Sequence, residues 1–187
     1  VGQIFDSRLI NRSHYIYTMQ KFDYILRKAR HSLFYRYLFS LMLGRIIPFN
    51  RTHRFRVLAL DEHSMSILLP YRRSNHNHLG GIHACALATL AELTSGLVLL
   101  MTTDSRRYRL ILQKLHMEYH YQARQDVVAR FEARPAWLAE TVEPHLAKDQ
   151  KVTIPCTIAL HDREGHHVAT GEVHWQLKDW RAVKTKS

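Results

Sequence analysis

Residues 82–101, IHACALATLAELTSGLVLLM, constrain this chain more than any other stretch. The run is apolar or small almost throughout and contains one charge, Glu92. Taking an ionised carboxylate out of water costs several kcal/mol, roughly, unless it is paired or neutralised. No Lys or Arg lies within a helical turn to pair with it. Either the run stays wet, or Glu92 has a task inside it. A bilayer span is argued against by that mid-run charge and by His83, Thr94, Ser95 and Gly96, because polar groups at that depth are costly. Residues 33–49 are interrupted by Arg36 and Arg45 and end at Pro48, so they are not a span either.

The flanking pattern supplies a sheet. RFRVLAL (54–60) and SMSILLPY (64–71) read as strands joined by the polar turn Asp61-Glu62-His63. Segments 109–121, 125–133, 151–162 and 166–178 are rich in β-branched and aromatic residues. Between the last two, HDREGHH signals a hairpin with Gly165 free to take a positive φ. Pro135 and Pro144 bracket a short helix or irregular insert. Upstream, Phe22, Ile25, Leu26, Ala29, Leu33, Tyr37 and Leu41 recur at helical spacing, which predicts one or two amphipathic helices ended by Pro48. A long helix between the second and third strands of an antiparallel set implies a sheet curled around that helix, an α+β fold. The expected organisation is a basic helical extension over 1–50 and one domain over 51–187.

On a helix, Ala84, Ala88, Glu92 and Gly96 share a face of small residues, opposite Leu87, Leu90, Leu97 and Leu100. Tight helix packing would explain small residues but not an acid among them. Gly80 and Gly81 free the backbone just before the helix, and first-turn amides suit an oxyanion because they lack intrahelical acceptors. Asn77 stands nearby with a side-chain donor; orienting a reactant and capping the loop are both open to it. Together these residues suit acyl transfer: donors for a carbonyl oxygen and a carboxylate as base or nucleophile. Ala84 and Glu92 are separated by about 12 Å along a helix axis, so one thioester carbon cannot touch both on the same copy. Two antiparallel copies side by side would bring them together, which predicts a symmetric dimer with two interfacial sites.

Asn77, Gly80, His83 and Glu92, with four strands following, resemble the hotdog-fold acyl-CoA thioesterases, in particular the phenylacetate-pathway-type branch. His83 to Glu92 has that family's nine-residue spacing from His to acid, while Ala84 and Cys85 stand where the family has two glycines. The resemblance covers roughly residues 51–178, by the element order of one such domain. It implies a hotdog sheet around a central helix, with Glu92, Asn77 and the Ala84 amide catalytic. Gly80, Gly81, His83 and Ser95 would contact substrate, His83 as a loop-fixing hydrogen-bonder or a proton carrier, with Thr94 an alternative to Ser95. It further implies an acyl-CoA or acyl-carrier-protein thioester as substrate, no metal and no cofactor apart from substrate coenzyme A, and a homodimer or dimer of dimers.

Charge and cysteines add bounds. Residues 1–56 hold eleven Lys or Arg against Asp6 and Asp23, a balance of +9 out of a total of +11. That segment reads as a solvated helix face, a contact for a membrane surface or acyl carrier, or a nucleic-acid contact. No Gly-containing turn between two helices marks a helix-turn-helix, which argues against DNA and against the rival reading of a non-catalytic acyl-CoA-binding regulator. A hydratase on the same fold is the other rival. Arg106, Arg107, Arg109 and Lys114 are candidates for coenzyme A phosphates. Cys85 and Cys156 sit among apolar residues and read as reduced core thiols. With no secretory leader legible, the expected compartment is cytoplasmic. His76 and His78, and His116 and His120, lack companions at metal-ligand spacing.

Overall fold

The computed structural model describes residues 24–105 and 107–182, without the side chains of residues 143, 147, 148 and 182. Arg8, Arg12 and Lys21 of the basic segment, and Arg106, lie outside the described residues. The elements run α1 (residues 24–31), α2 (Leu33–Ile46), β1 (Arg56–Leu60), β2 (Ser64–Leu69), α3 (Ala84–Thr102), β3 (Tyr108–Tyr119), β4 (Val127–Glu132), α4 (Pro135–Thr141), α5 (Glu143–Asp149), β5 (Lys151–Asp162) and β6 (His167–Asp179). The six strands form one antiparallel sheet in the order β1-β2-β4-β5-β6-β3.

Alternation along the strands decides which face turns inward. In β5, Val152, Ile154, Cys156, Ile158 and Leu160 are buried and every intervening residue is exposed. β6 answers with Ala169, Gly171, Val173, Trp175 and Leu177. Its register pairs Trp175 with Ile154 and Val173 with Cys156. The inward residues close on α3, whose Leu87, Leu90, Ala91, Leu97, Val98 and Leu99 are buried. α3 is the one helix among the described residues long and apolar enough to cross a membrane. Here the curled sheet encloses it instead, and this sheet around a central helix is the hotdog fold.

Two glycines set how closely the sheet approaches. A Cβ on Gly96 would meet the Trp175 ring at 2.7 Å, and one on Gly171 would meet the Ala91 Cβ at 2.8 Å. Trp175 Nε1 also donates to Ser95 Oγ at 3.0 Å, so this indole is held along one edge by α3. Pro155, which has no N–H to donate, falls in the part of β5 that no longer pairs with β4. Gly165 takes its positive φ of 86° in the hairpin, where the Asp162 carboxylate accepts from the amides of Glu164 and His166. The insert that Pro135 and Pro144 bracket resolves into two short helices, each with Pro in its first turn.

The helical extension is tied to the sheet. Ser32 breaks the helix, and its hydroxyl caps α2 by accepting from Tyr35 N. Phe39 and Leu43 of α2 join the central core, and Ser40 Oγ accepts from Val57 N of β1 at 2.9 Å. Phe34, on the other side of α2, is exposed. Phe39→Ala should therefore cost about 3–5 kcal/mol, and Phe34→Ala well under 1 kcal/mol. Chemical denaturation of the two variants checks this; equal small costs would mean that α2 is not part of the cooperative core.

Candidate active site

The chain between β2 and α3 is a strap held by Asn75. This residue is buried, and its Nδ2 donates to His53 O at 3.0 Å and Pro70 O at 2.9 Å. With both amide protons so used, Oδ1 accepts from His53 Nδ1 at 3.0 Å, which places that histidine's proton on Nδ1. Asn75 O accepts from His83 N at 2.8 Å, so the strap fixes where α3 begins. Asn77 shapes the next turn: its Oδ1 accepts from Leu79 N and Gly81 N, at 2.9 and 3.1 Å. Gly80 takes φ 75° there, and its carbonyl accepts from Tyr71 Oη at 2.6 Å. A Cβ on Gly81 would meet the Gln122 side chain at 2.8 Å, so that exposed side chain would have to move to admit one.

His83 is the N-cap of α3. Its Nδ1 accepts from Cys85 N at 3.1 Å, and its carbonyl accepts from Ala86 N at 2.9 Å. That geometry requires a neutral ring with its proton on Nε2. Ala84 is the first helical residue, and its N–H has no acceptor among the described residues. The Ala84 carbonyl accepts from Tyr119 Oη of β3 at 3.1 Å. Burial, then the neighbouring Cys85, pushes the Tyr119 hydroxyl above its ordinary pKa.

Ala84, Ala88 and Glu92 line the one side of α3 that the sheet leaves uncovered. Glu92 is half-buried, and its carboxylate has no hydrogen bond or ion pair among the described residues. Burial raises its pKa above the ordinary carboxylate range, as expected for an acid desolvated without a compensating charge. Gly96 belongs elsewhere: it is buried beneath Trp175. Ser95 also points into the core, where it donates to Ala91 O at 3.0 Å and accepts from Trp175. Thr94 is buried as well, with its hydroxyl on Leu90 O. The structure thus brings Asn77, Gly80, Gly81, His83 and Ala84 together at the start of α3, sets Glu92 two turns along the open side, and leaves Ser95 apart.

Sequence reasoning missed Asn75 and Tyr119. Neither carries a motif: Asn75 is tied to His53, 22 residues away, as well as to nearer carbonyls, and Tyr119 meets Ala84 from 35 residues away. Cys85 corrects the sequence reading: it is exposed at the first turn of α3, and only Cys156 is a core thiol, its pKa pushed up to about 12 by burial. Of the basic candidates on and near β3, Arg107 lies 3.6 Å from Asp179 and Lys114 3.9 Å from Glu172, while Arg109 lies 6.0 Å from the Trp180 ring centre. No group of three potential metal ligands occurs among the described residues. A hollow of about 390 Å³ opens at the far end of α3, between Thr102, Tyr108 and the insert residues Leu138, Val142 and Leu146.

With this geometry the chain takes its place among known proteins. Its fold is that of a protein of unknown function from Pseudomonas aeruginosa described as a probable thioesterase (TM-score 0.69, 24% identity, covering 75% of this chain and 93% of the other). It is also that of a mutant thioesterase from the same organism (0.60, 16%, covering 74% and 91%) and of a thioesterase from Haemophilus influenzae (0.57, 11%, covering 73% and 88%). No curated protein matches the sequence. The family described as a domain of unknown function, DUF4442, matches residues 36–177, and the chain belongs to that family.

The environment of Glu92 has a thermodynamic signature. A carboxylate whose folded pKa is raised keeps its proton longer in the folded state, so stability falls as pH rises from the unfolded value through the folded one. Above that window the cost of the bare charge is fully present. Glu92→Gln should therefore unfold at a higher temperature than the wild type at neutral pH and lose that advantage as pH falls toward 4. A lower melting temperature for the variant at neutral pH would show that the carboxylate is favourably partnered.

Proposed function

We propose that the chain is an acyl-thioester hydrolase acting on acyl-CoA or acyl-carrier-protein thioesters. The observation that carries this is Glu92: a desolvated carboxylate on the open side of the central helix, two turns beyond the Ala84 amide, neither of them with a partner among the described residues. Structural neighbours that carry the name thioesterase support the same reading.

In this mechanism Glu92 takes a proton from water as the oxygen attacks the thioester carbon. The carbonyl electrons move onto oxygen, and the Ala84 N–H donates a hydrogen bond to the oxyanion so formed. The tetrahedral adduct then expels the thiolate, and the proton held by Glu92 passes to the sulfur. In the variant in which Glu92 attacks directly, the C–S bond breaks, the thiolate leaves and takes a proton from water, and the mixed anhydride left on Glu92 is opened by a second water, which frees the acid and restores the carboxylate. Neither route draws on a metal or a separate cofactor; coenzyme A is part of the substrate. Asn77 would act through the loop that its Oδ1 closes, orienting the strap above the amide, and Gly80, Gly81 and His83 would shape the approach. The cytoplasm supplies such thioesters, which suits the exposed Cys85 thiol.

Both reacting groups must belong to one site, yet about 12 Å of helix separates them. The sheet offers a way to bring two copies together. β3 is an edge strand of twelve residues, paired among the described residues only with β6. A long unpaired edge is a template for another strand. Pairing two β3 edges antiparallel would set two α3 helices side by side and oppose Glu92 of one copy to Ala84 of the other.

A substitution that removes only the amide tests this arrangement. Ala84 is the first residue of α3, and His83 has φ −67° and ψ 137°, so Ala84→Pro deletes the N–H where proline is tolerated. Hydrolysis of acyl-CoA substrates, followed by released thiol, should fall by about a hundredfold or more in that variant. Mixing Ala84→Pro with Glu92→Gln protein under conditions of subunit exchange should restore about a quarter of wild-type activity, because each heterodimer then holds one intact site. No restoration despite exchange would place each site within one chain. No hydrolysis by the wild type across a range of chain lengths would refute the thioesterase reading itself.

A further inference from the structure

α2 is apolar on two opposite faces. One face, with Phe39 and Leu43, is core. The other is exposed: Leu33 at 77%, Phe34 at 68%, Tyr37 at 64%, with Leu38 and Leu41 beside them. These five positions recur at helical spacing and form a stripe on the side turned away from the sheet. The stripe continues past the helix end through the exposed Ile46, Ile47 and Phe49. A stripe of this kind on a protein surface marks an interaction site rather than ordinary exposure.

Its surroundings identify the partner. No Asp or Glu occurs from residue 24 to residue 60. Over that span Arg27, Lys28, Arg45, Arg51, Arg54 and Arg56 are exposed and make no ion pair among the described residues. Arg30 is turned to Glu62, and Arg36 to the carbonyls of Ala29 and Leu58. Aromatic and aliphatic side chains on one side of a helix, in a stretch whose exposed cations have no acidic neighbours in sequence, match the boundary between lipid headgroups and acyl chains. A second copy of this chain would bring a second set of like charges to the seam, and an acidic protein would leave the apolar stripe without a matching depth of apolar contact.

We propose that α2 and the turn after it form an interfacial patch that docks the protein on an anionic bilayer, with Phe34, Tyr37 and Phe49 entering the headgroup region and the six cations on the lipid phosphates. This inference does not rest on the thioesterase reading.

The test is co-sedimentation of the full chain with sucrose-loaded vesicles. With phosphatidylcholine containing about a third phosphatidylserine, the protein should pellet; with phosphatidylcholine alone it should stay largely in the supernatant. Salt at about half-molar should release it. Phe34→Glu with Tyr37→Glu should lower the partition coefficient by about tenfold or more, with thermal unfolding unchanged because both side chains are exposed. Arg45→Glu with Arg51→Glu, which touches no apolar contact, should lower it by about tenfold on anionic vesicles only. Absence of pelleting at low salt would overturn the proposal, as would equal pelleting of wild type and both double variants. So would light scattering without lipid that shows the glutamate variants breaking a larger assembly, since the stripe would then be a seam between copies.

Discussion

Enclosure of α3 by one curled sheet is the constraint on which the structure depends. A helix apolar on nearly every side has no stable place in water, and only a surface that wraps it can bury Leu87, Leu90, Leu97 and Leu99 together. The sheet does so by alternation in β5 and β6, and it closes tightly because Gly96 and Gly171 leave space where a Cβ would collide. Trp175 completes the enclosure by filling the place above Gly96 and donating to Ser95. What the sheet does not cover is a narrow side carrying Ala84, Ala88 and Glu92. The open side is therefore defined by packing, before any chemistry is assigned to it.

The strap turns that open side into a site. Asn75 anchors the chain on two carbonyls and a histidine, Asn77 closes the glycine turn, and His83 caps the helix through its own ring. All three spend polar groups to hold backbone rather than to meet a ligand. Their joint effect is a helix N-terminus fixed in place, with the Ala84 N–H left without an acceptor among the described residues. Preorganised donors of this kind cost little reorganisation when charge develops against them.

Much of this was legible in the sequence, for reasons that can be named. β5 and β6 alternate so regularly, and Gly165 marks their turn so plainly, that the hairpin is unambiguous. The run over 82–101 fixes a long helix because its length and continuity exceed those of a strand. The acid was legible because it breaks the pattern. The rest escaped because it depends on contacts distant in sequence. Ser95 lies three residues from Glu92, yet Trp175, eighty residues away, draws it into the core. Cys85 has apolar neighbours in sequence but falls on the uncovered side. Tyr119 reaches Ala84 only because β3 runs back along α3. The exposed stripe of α2 escaped for another reason: periodicity reveals apolar positions but not which of two apolar faces meets the core, and the break at Ser32 resets the phase between α1 and α2.

Glu92 is the residue on which the proposed chemistry depends, and the most direct measurement is turnover of an acyl-CoA substrate by the Glu92→Gln protein, with its fold checked by circular dichroism and thermal unfolding. The amide keeps the side chain's size and removes the proton acceptor. If Glu92 is base or nucleophile, turnover falls by about a hundredfold or more while the protein stays folded. Near-normal turnover by a well-folded Glu92→Gln protein would contradict the mechanism.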